Sequence, residues 1–238
     1  MGDSPKNAPA PRAAPQNSAI DAFLDKARNV AGTGGARGRL IFALDATMSR
    51  QPTWDVAQSI QAEMFRTTAQ QGGIDVQLVY FRGFSECRAS RFVSQGEGLA
   101  ALMARISCQA GHTQIGRVLS HALDEARARR VGALVYIGDA MEENIDHLAA
   151  TAGQLGLLGV KAFMFQEGGD AAARAAFREI ARLTGGAHAA FDLSAPRRLS
   201  ELLAAAAAYA VGGLPELEKR AAQGEGAARL LLSQMGSR

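Results

Sequence analysis

The feature that most constrains this chain is a set of short, almost wholly apolar runs alternating with longer segments of helical period. Residues 40–44 read Leu-Ile-Phe-Ala-Leu and end on Asp45, and residues 133–137 read Ala-Leu-Val-Tyr-Ile and end on Gly138 and Asp139. A strand with one wet face alternates apolar and polar side chains, so runs without alternation belong to strands covered on both faces. Further strands are predicted over 75–81, 87–94, 160–165 and 189–191. The short turn 82–86 makes the second and third strands an antiparallel hairpin at the sheet edge. Helices are predicted over 53–71, with Thr53 as cap and Val56, Ile60 and Met64 on one face, and over 96–108. Others follow over 115–129, 142–155, 171–183 and 196–211, the last stopped by Gly212 and Gly213. The expected fold class is α/β: a doubly wound, mostly parallel six-stranded sheet with one antiparallel edge strand and helices on both faces.

The chain's 238 residues, 47% of them hydrophobic, suit one domain with tails. Residues 1–18, with Pro5, Pro9, Pro11 and Pro15 among small and polar residues, are expected to be a disordered tail. Residues 19–38 are read as a short helix and a Gly-rich linker. That linker resembles a phosphate loop only superficially, because a strand follows it where a dinucleotide fingerprint needs one before it. The domain is expected over 39–213, with 214–238 an appended helix or tail whose Leu230, Leu231 and Leu232 can dock on the domain or on a partner.

With 26 basic and 23 acidic residues, the net charge of +3 is too even for a nucleic-acid footprint. Cys87 and Cys108 read as two thiols in a reducing compartment rather than a disulfide framework. No apolar stretch follows Lys6 and Arg12, so no signal peptide is read, and the apolar run beginning at Leu202 is too short to span a bilayer. A cytoplasmic protein without membrane insertion is the expectation.

In a doubly wound sheet, ligands bind beyond the carboxyl ends of the strands, near a switch in strand order. Asp45 and Asp139 sit at two such ends. The loop after the first reads Asp45-Ala-Thr47-Met-Ser49, and alternate side chains of an extended loop point the same way. Thr113 adds a third hydroxyl in the loop before the helix at 115. Hydroxyls and carboxylates form an all-oxygen set that suits Mg²⁺ or Mn²⁺ and, less well, Ca²⁺. If neutral hydroxyls bind directly and carboxylates largely through water, the ion keeps much of its charge, and an open position attracts a partner's Asp or Glu carboxylate. Arg50 and Trp54 follow the loop as candidate rim contacts for that partner. His112, beside Thr113, stays outside the ligand set, and Glu142 and Glu143 are read as favourable first-turn charges of their own helix.

The order Asp45-x-Thr47-x-Ser49, then Gly111-x-Thr113-x-Ile115-Gly116, then apolar strand-Gly138-Asp139 resembles the metal-ion-dependent adhesion site of von Willebrand factor type A domains. The resemblance runs from about 39 to 213 and includes the helix end from Phe177 to Gly186. Beyond the domain, the chain resembles stand-alone bacterial proteins of this family. The resemblance implies direct ligation by Ser49 and Thr47, ligation by Thr113 directly or through water, and outer positions for Asp45 and Asp139. Where the commonest pattern has Ser, this chain has Thr47, which keeps the oxygen and adds a methyl.

Two other functions compete with this one. A strand-end Asp45 followed by Gly138, Asp139 and Glu142 is also similar to haloacid dehalogenase-type phosphohydrolases, where the Asp is a nucleophile and later acids hold Mg²⁺. Such a site wants a second acid where Thr47 stands and a Lys between Asp45 and Asp139, and the sequence has none there. A scaffold with a vestigial metal site is the third. The sequence therefore favours a non-enzymatic, cation-dependent protein-binding module.

Overall fold

A computed structural model of the chain describes residues 37–48, 51–69, 73–192 and 196–235, with the backbone alone at 60–63 and 65–69. The tail expected over 1–18 and nearly all of the linker over 19–38 lie outside the described residues.

Strand β1 (Gly38–Asp45) is buried along its whole length. It pairs in parallel with β2 (Ile74–Arg82) on one side and β4 (Ala133–Gly138) on the other. β5 (Lys161–Glu167) and β6 (Ala187–Phe191) extend the parallel run, and β3 (Glu86–Ala89) turns back antiparallel on β2. The order is β3-β2-β1-β4-β5-β6. The expected third strand is shorter than read: at Ser90 the side-chain oxygen takes the Leu78 N–H at 3.0 Å while the Ser90 N–H still donates to Leu78 O at 2.8 Å, and pairing resumes only as a bridge between Val76 and Val93.

Side chains leave β1 alternately for two cores. Leu40, Phe42 and Leu44 join one face with α1 (Gln51–Ala69), α2 (Gly96–Met103), α6 (Pro196–Ala222) and α7 (Gly226–Met235). Ile41 and Ala43 join the other with α3 (Ile115–Ala128), α4 (Ile145–Leu157) and α5 (Ala171–Thr184). The α3 stripe of Ile115, Val118, Leu119, Ala122 and Leu123 is buried as its period requires. Burial of each large apolar side chain contributes about 1.5–3 kcal/mol, which is why the uninterrupted strands and striped helices dictate a three-layer arrangement.

The helix expected to stop at Gly212 and Gly213 does break there: Gly213 takes φ 64° and ψ −154°, a conformation open to glycine, before Pro215 and a further helical stretch to Ala222. The chain then returns through α7. Leu217, Ala227, Ala228 and Leu231, all beyond residue 213, are buried in the same core as β1. The Gln234 side chain ends this return on the open edge of β6, accepting from His188 N at 2.9 Å and donating to His188 O at 2.7 Å. An amide thus occupies backbone groups that an edge strand would otherwise expose. Cys87 is half-buried and Cys108 buried, and burial pushes the Cys87 thiol up. No helix among the described residues is long and apolar enough to cross a membrane.

Candidate metal centre

The chain goes from β1 to β2 on one side and later returns to lay β4 on the other, so the switch in strand order falls between β1 and β4. Leu44 stands opposite Ile137 in that pairing. Asp45 therefore closes β1 beside the point where β4 runs into Gly138 and Asp139. The two strand-end acids singled out in the sequence are thus neighbours at the place where this architecture opens a crevice.

Asp45 is only 3% exposed, and its Oδ1 accepts the Thr47 N–H at 2.7 Å. That two-residue turn folds the loop back over the strand end and orients the carboxylate. Ala46 pins the loop from both sides, donating to Phe81 O at 2.9 Å and accepting from Gln109 N at 3.0 Å. Thr47 is buried, as is Thr113. The Thr113 hydroxyl accepts from Glu142 N at 3.2 Å, which ties the loop before α3 to the loop after β4. Of the five predicted ligands, Asp45, Thr47 and Asp139 therefore sit at strand ends, and Thr113 in a loop that is tied to the loop after β4 and, through Gln109, to the Asp45 loop. Ser49, the fifth, and Arg50, a predicted rim residue, lie outside the described residues.

Trp54 corrects the other rim expectation. α1 begins at Gln51 rather than at Thr53, so Trp54 lies in the first turn and faces inward, 2% exposed. Its indole Nε1 donates to Met103 O at 3.3 Å and its ring meets Tyr80 edge-on at 6.3 Å. It is a core residue at the contact of α1 with α2. Thr53 is not a cap either: its hydroxyl donates to the Glu167 carboxylate at the end of β5.

Glu142 and Glu143 also differ from the expectation. Their own helix starts later, at Ile145, with Asn144 Oδ1 accepting from Asp146 N at 2.9 Å and His147 N at 3.2 Å. The two glutamates instead reach across to α3, whose N-cap residue Gln114 makes no side-chain cap bond. Glu143 accepts from Ile115 N and, at 2.9 Å, from Gly116 N. Glu142 Oε2 lies 3.0 Å from His112 Nδ1 and accepts from Thr113 N at 3.4 Å. A carboxylate at a helix N-terminus satisfies otherwise unpaired N–H groups and meets the positive end of the dipole. No local sequence pattern signals this, because helix and carboxylates are 27 and 28 residues apart.

The donor chemistry fits a hard divalent cation: Asp45 and Asp139 offer carboxylate oxygens, Thr47 and Thr113 hydroxyls. Among the described residues no three His, Cys, Asp or Glu side chains form a metal-holding group. A cation at this place would depend on the hydroxyls.

No family model matches the chain, and no curated protein matches it. Among solved structures it is similar to a von Willebrand factor type A protein from Catenulispora acidiphila, at TM-score 0.57 and 16% identity over 73% of this chain and 43% of that one. It is similar to the SpRpn10 VWA domain, at TM-score 0.55 and 10% identity over 69% of this chain and 95% of that one. Proximal thread matrix protein 1 from the mussel byssus gives TM-score 0.55 and 16% identity over 73% of this chain and 47% of that one. The chain thus spans less than half the length of the first and third, and nearly all of the second. The fold is that of von Willebrand factor type A domains.

Proposed function

We propose that the chain is an interaction module that holds one divalent cation, Mg²⁺ or Mn²⁺ (Ca²⁺ less well), and uses it to bind an Asp or Glu carboxylate of a protein partner. What supports this reading is that Asp45 and Asp139 end neighbouring strands at the switch between β1 and β4, with Thr47 folded back on Asp45 and the Thr113 loop tied to the loop after β4. Thr47 and Thr113, with Ser49 from the same loop, would hold the ion, with Asp45 and Asp139 acting mainly through water. Bound there, the cation supplies an open positive position for an incoming carboxylate.

Electrostatics supports the same assignment. Glu142 and Glu167 stand with Asp45 and Asp139 at the carboxyl ends of β1, β4 and β5. A partner's carboxylate approaching these residues alone would be repelled. Arg50, which follows the loop in the sequence, is the proposed rim contact for the partner. No chemistry is assigned to the chain in this reading, which involves neither nucleic acid nor membrane insertion.

Mg²⁺ or Mn²⁺ at tenfold above its Kd should stabilise the fold by about 1.4 kcal/mol, raising Tm by roughly 3–5 °C. Asp45→Asn keeps the acceptor for Thr47 N–H but removes the charge, and should abolish that rise without lowering the metal-free Tm by more than about 2 °C. A metal-insensitive melt and no calorimetric Mn²⁺ binding would leave a scaffold with a vestigial site. Turnover of an aryl phosphate, lost in Asp45→Asn, would install the phosphohydrolase instead.

A further inference from the structure

Among the described residues two large apolar side chains, Met48 and Phe84, are exposed on loops that frame the candidate cation site, 60% and 78% respectively. Met48 belongs to the Asp45 loop itself. Phe84 stands on the turn between β2 and β3, three residues beyond Phe81, whose carbonyl holds Ala46.

The Phe84 turn is anchored against the Thr113 loop. His112 N donates to Gly83 O at 3.1 Å, and the Gln114 amide donates to Arg82 O and Gly83 O at 3.2 and 3.3 Å. Arg117 donates to Ser85 O on the other flank. At Gly111 the two backbones touch so closely that an added Cβ would lie 2.1 Å from Gly83 O, so only glycine permits this contact. The His112 ring meets Phe84 edge-on at 5.2 Å, and Glu142 holds His112 from behind. An exposed aromatic on an anchored turn gives up little conformational entropy when a partner covers it.

We infer that Met48 and Phe84 are the apolar half of the partner surface, and that the partner is a protein segment in which a single Asp or Glu is neighboured by an aromatic or aliphatic side chain. The inference rests on the cation-dependent reading proposed above. Charge complementarity decides the partner's chemistry. The face already carries Asp45, Asp139, Glu142 and Glu167, so one carboxylate can be held at a cation while further acids beside it are repelled. An apolar neighbour meets no such repulsion and covers Phe84 and Met48.

The test is a selection from a displayed random-peptide library on the full chain, run in saturating Mg²⁺ and again in EDTA. The enriched peptides should bind only with Mg²⁺ and carry Asp or Glu beside Phe, Trp, Leu or Met. Phe84→Ser should weaken them about tenfold or more. Mn²⁺ binding by Phe84→Ser without peptide, read by electron paramagnetic resonance, should match that of the parent chain. Mg²⁺-dependent peptides without apolar neighbours, or undiminished binding by Phe84→Ser, would overturn the inference and leave the cation reading standing. So would a selection that enriches nothing while Mn²⁺ still binds. Peptides that bind equally in EDTA, or a parent chain that binds no Mn²⁺, would overturn both.

Discussion

Among the described residues, the β6 edge and the carboxyl ends of β1 and β4 both bury polar side chains, and they do so in opposite ways. At the β6 edge the groups are neutral and complete one another. Gln166 donates to Asp170 O at 2.7 Å, its other end faces His188 Nε2 at 3.1 Å, and Gln234 takes both backbone groups of His188. Because the Gln166 amide nitrogen is committed to a carbonyl, its oxygen is the acceptor, and His188 must carry its proton on Nε2. At the carboxyl ends of β1 and β4 the groups are carboxylates and hydroxyls from separate loops, flanked by exposed Met48 and Phe84. A closed neutral network holds an edge together; a gathering of anions beside exposed apolar surface suits recognition. Stability and binding should therefore respond to different substitutions.

The largest effect that sharpens this contrast is at Leu231. Its side chain is fully buried in the core that β1 shares with α6 and α7. Leu231→Ala should cost about 2–5 kcal/mol in denaturant unfolding and leave Mn²⁺ affinity unchanged. A matching loss of metal affinity would break the separation, by showing that the C-terminal helices shape the cation site.

The next effect is a pH dependence that belongs to the β6 edge. His188 has its pKa lowered to about 4, first by burial and then by Arg178 and Arg174 nearby. In the unfolded chain the imidazole returns to its ordinary value of 6.5. The unfolded state therefore binds the proton more readily, so stability is fully present above 6.5 and falls as pH drops from 6.5 towards 4. The loss should be on the order of 2–3 kcal/mol across that window. His188→Gln, which keeps a donor for Gln166, should flatten this part of a pH–stability curve. An unchanged slope in that variant would assign the acid sensitivity to other groups.

How much of this was legible in the sequence follows from which contacts are local. The six strands, their mostly parallel order and the edge hairpin are carried by uninterrupted apolar runs and one short turn, so they could be read directly. Asp45 and Asp139 were legible because strand ends are. Trp54 was not: moving the helix start by two residues, from Thr53 to Gln51, turns its side chain from rim to core. The roles of Glu142, Glu143 and Gln234 were hidden for a different reason. Each satisfies backbone groups of an element far away in sequence, and no periodicity records such a contact. Leu230, Leu231 and Leu232 were expected to dock on the domain or on a partner, but three consecutive leucines give no single face, so the sequence alone could not assign Leu231 to this core.

The smallest expected effect tests whether the two regions are as separate as the first contrast implies. Glu143 belongs to the recognition face by position, yet its two oxygens act as a structural cap on Ile115 and Gly116. Glu143→Gln keeps one acceptor and removes the charge, so the cost in stability should be about 1 kcal/mol, the usual worth of a helix cap together with its charge–dipole attraction. The same change loosens the start of α3, two residues beyond Thr113. If Thr113 helps to hold the ion, Mn²⁺ affinity should fall by about threefold to tenfold in the folded variant, through the loosened loop rather than a lost ligand. Calorimetric titration well below the variant's Tm separates the two effects. A loss of stability with Mn²⁺ affinity intact would mean that the α3 cap and the cation loops are mechanically independent, and that the boundary between the scaffold and the site runs between Thr113 and Ile115.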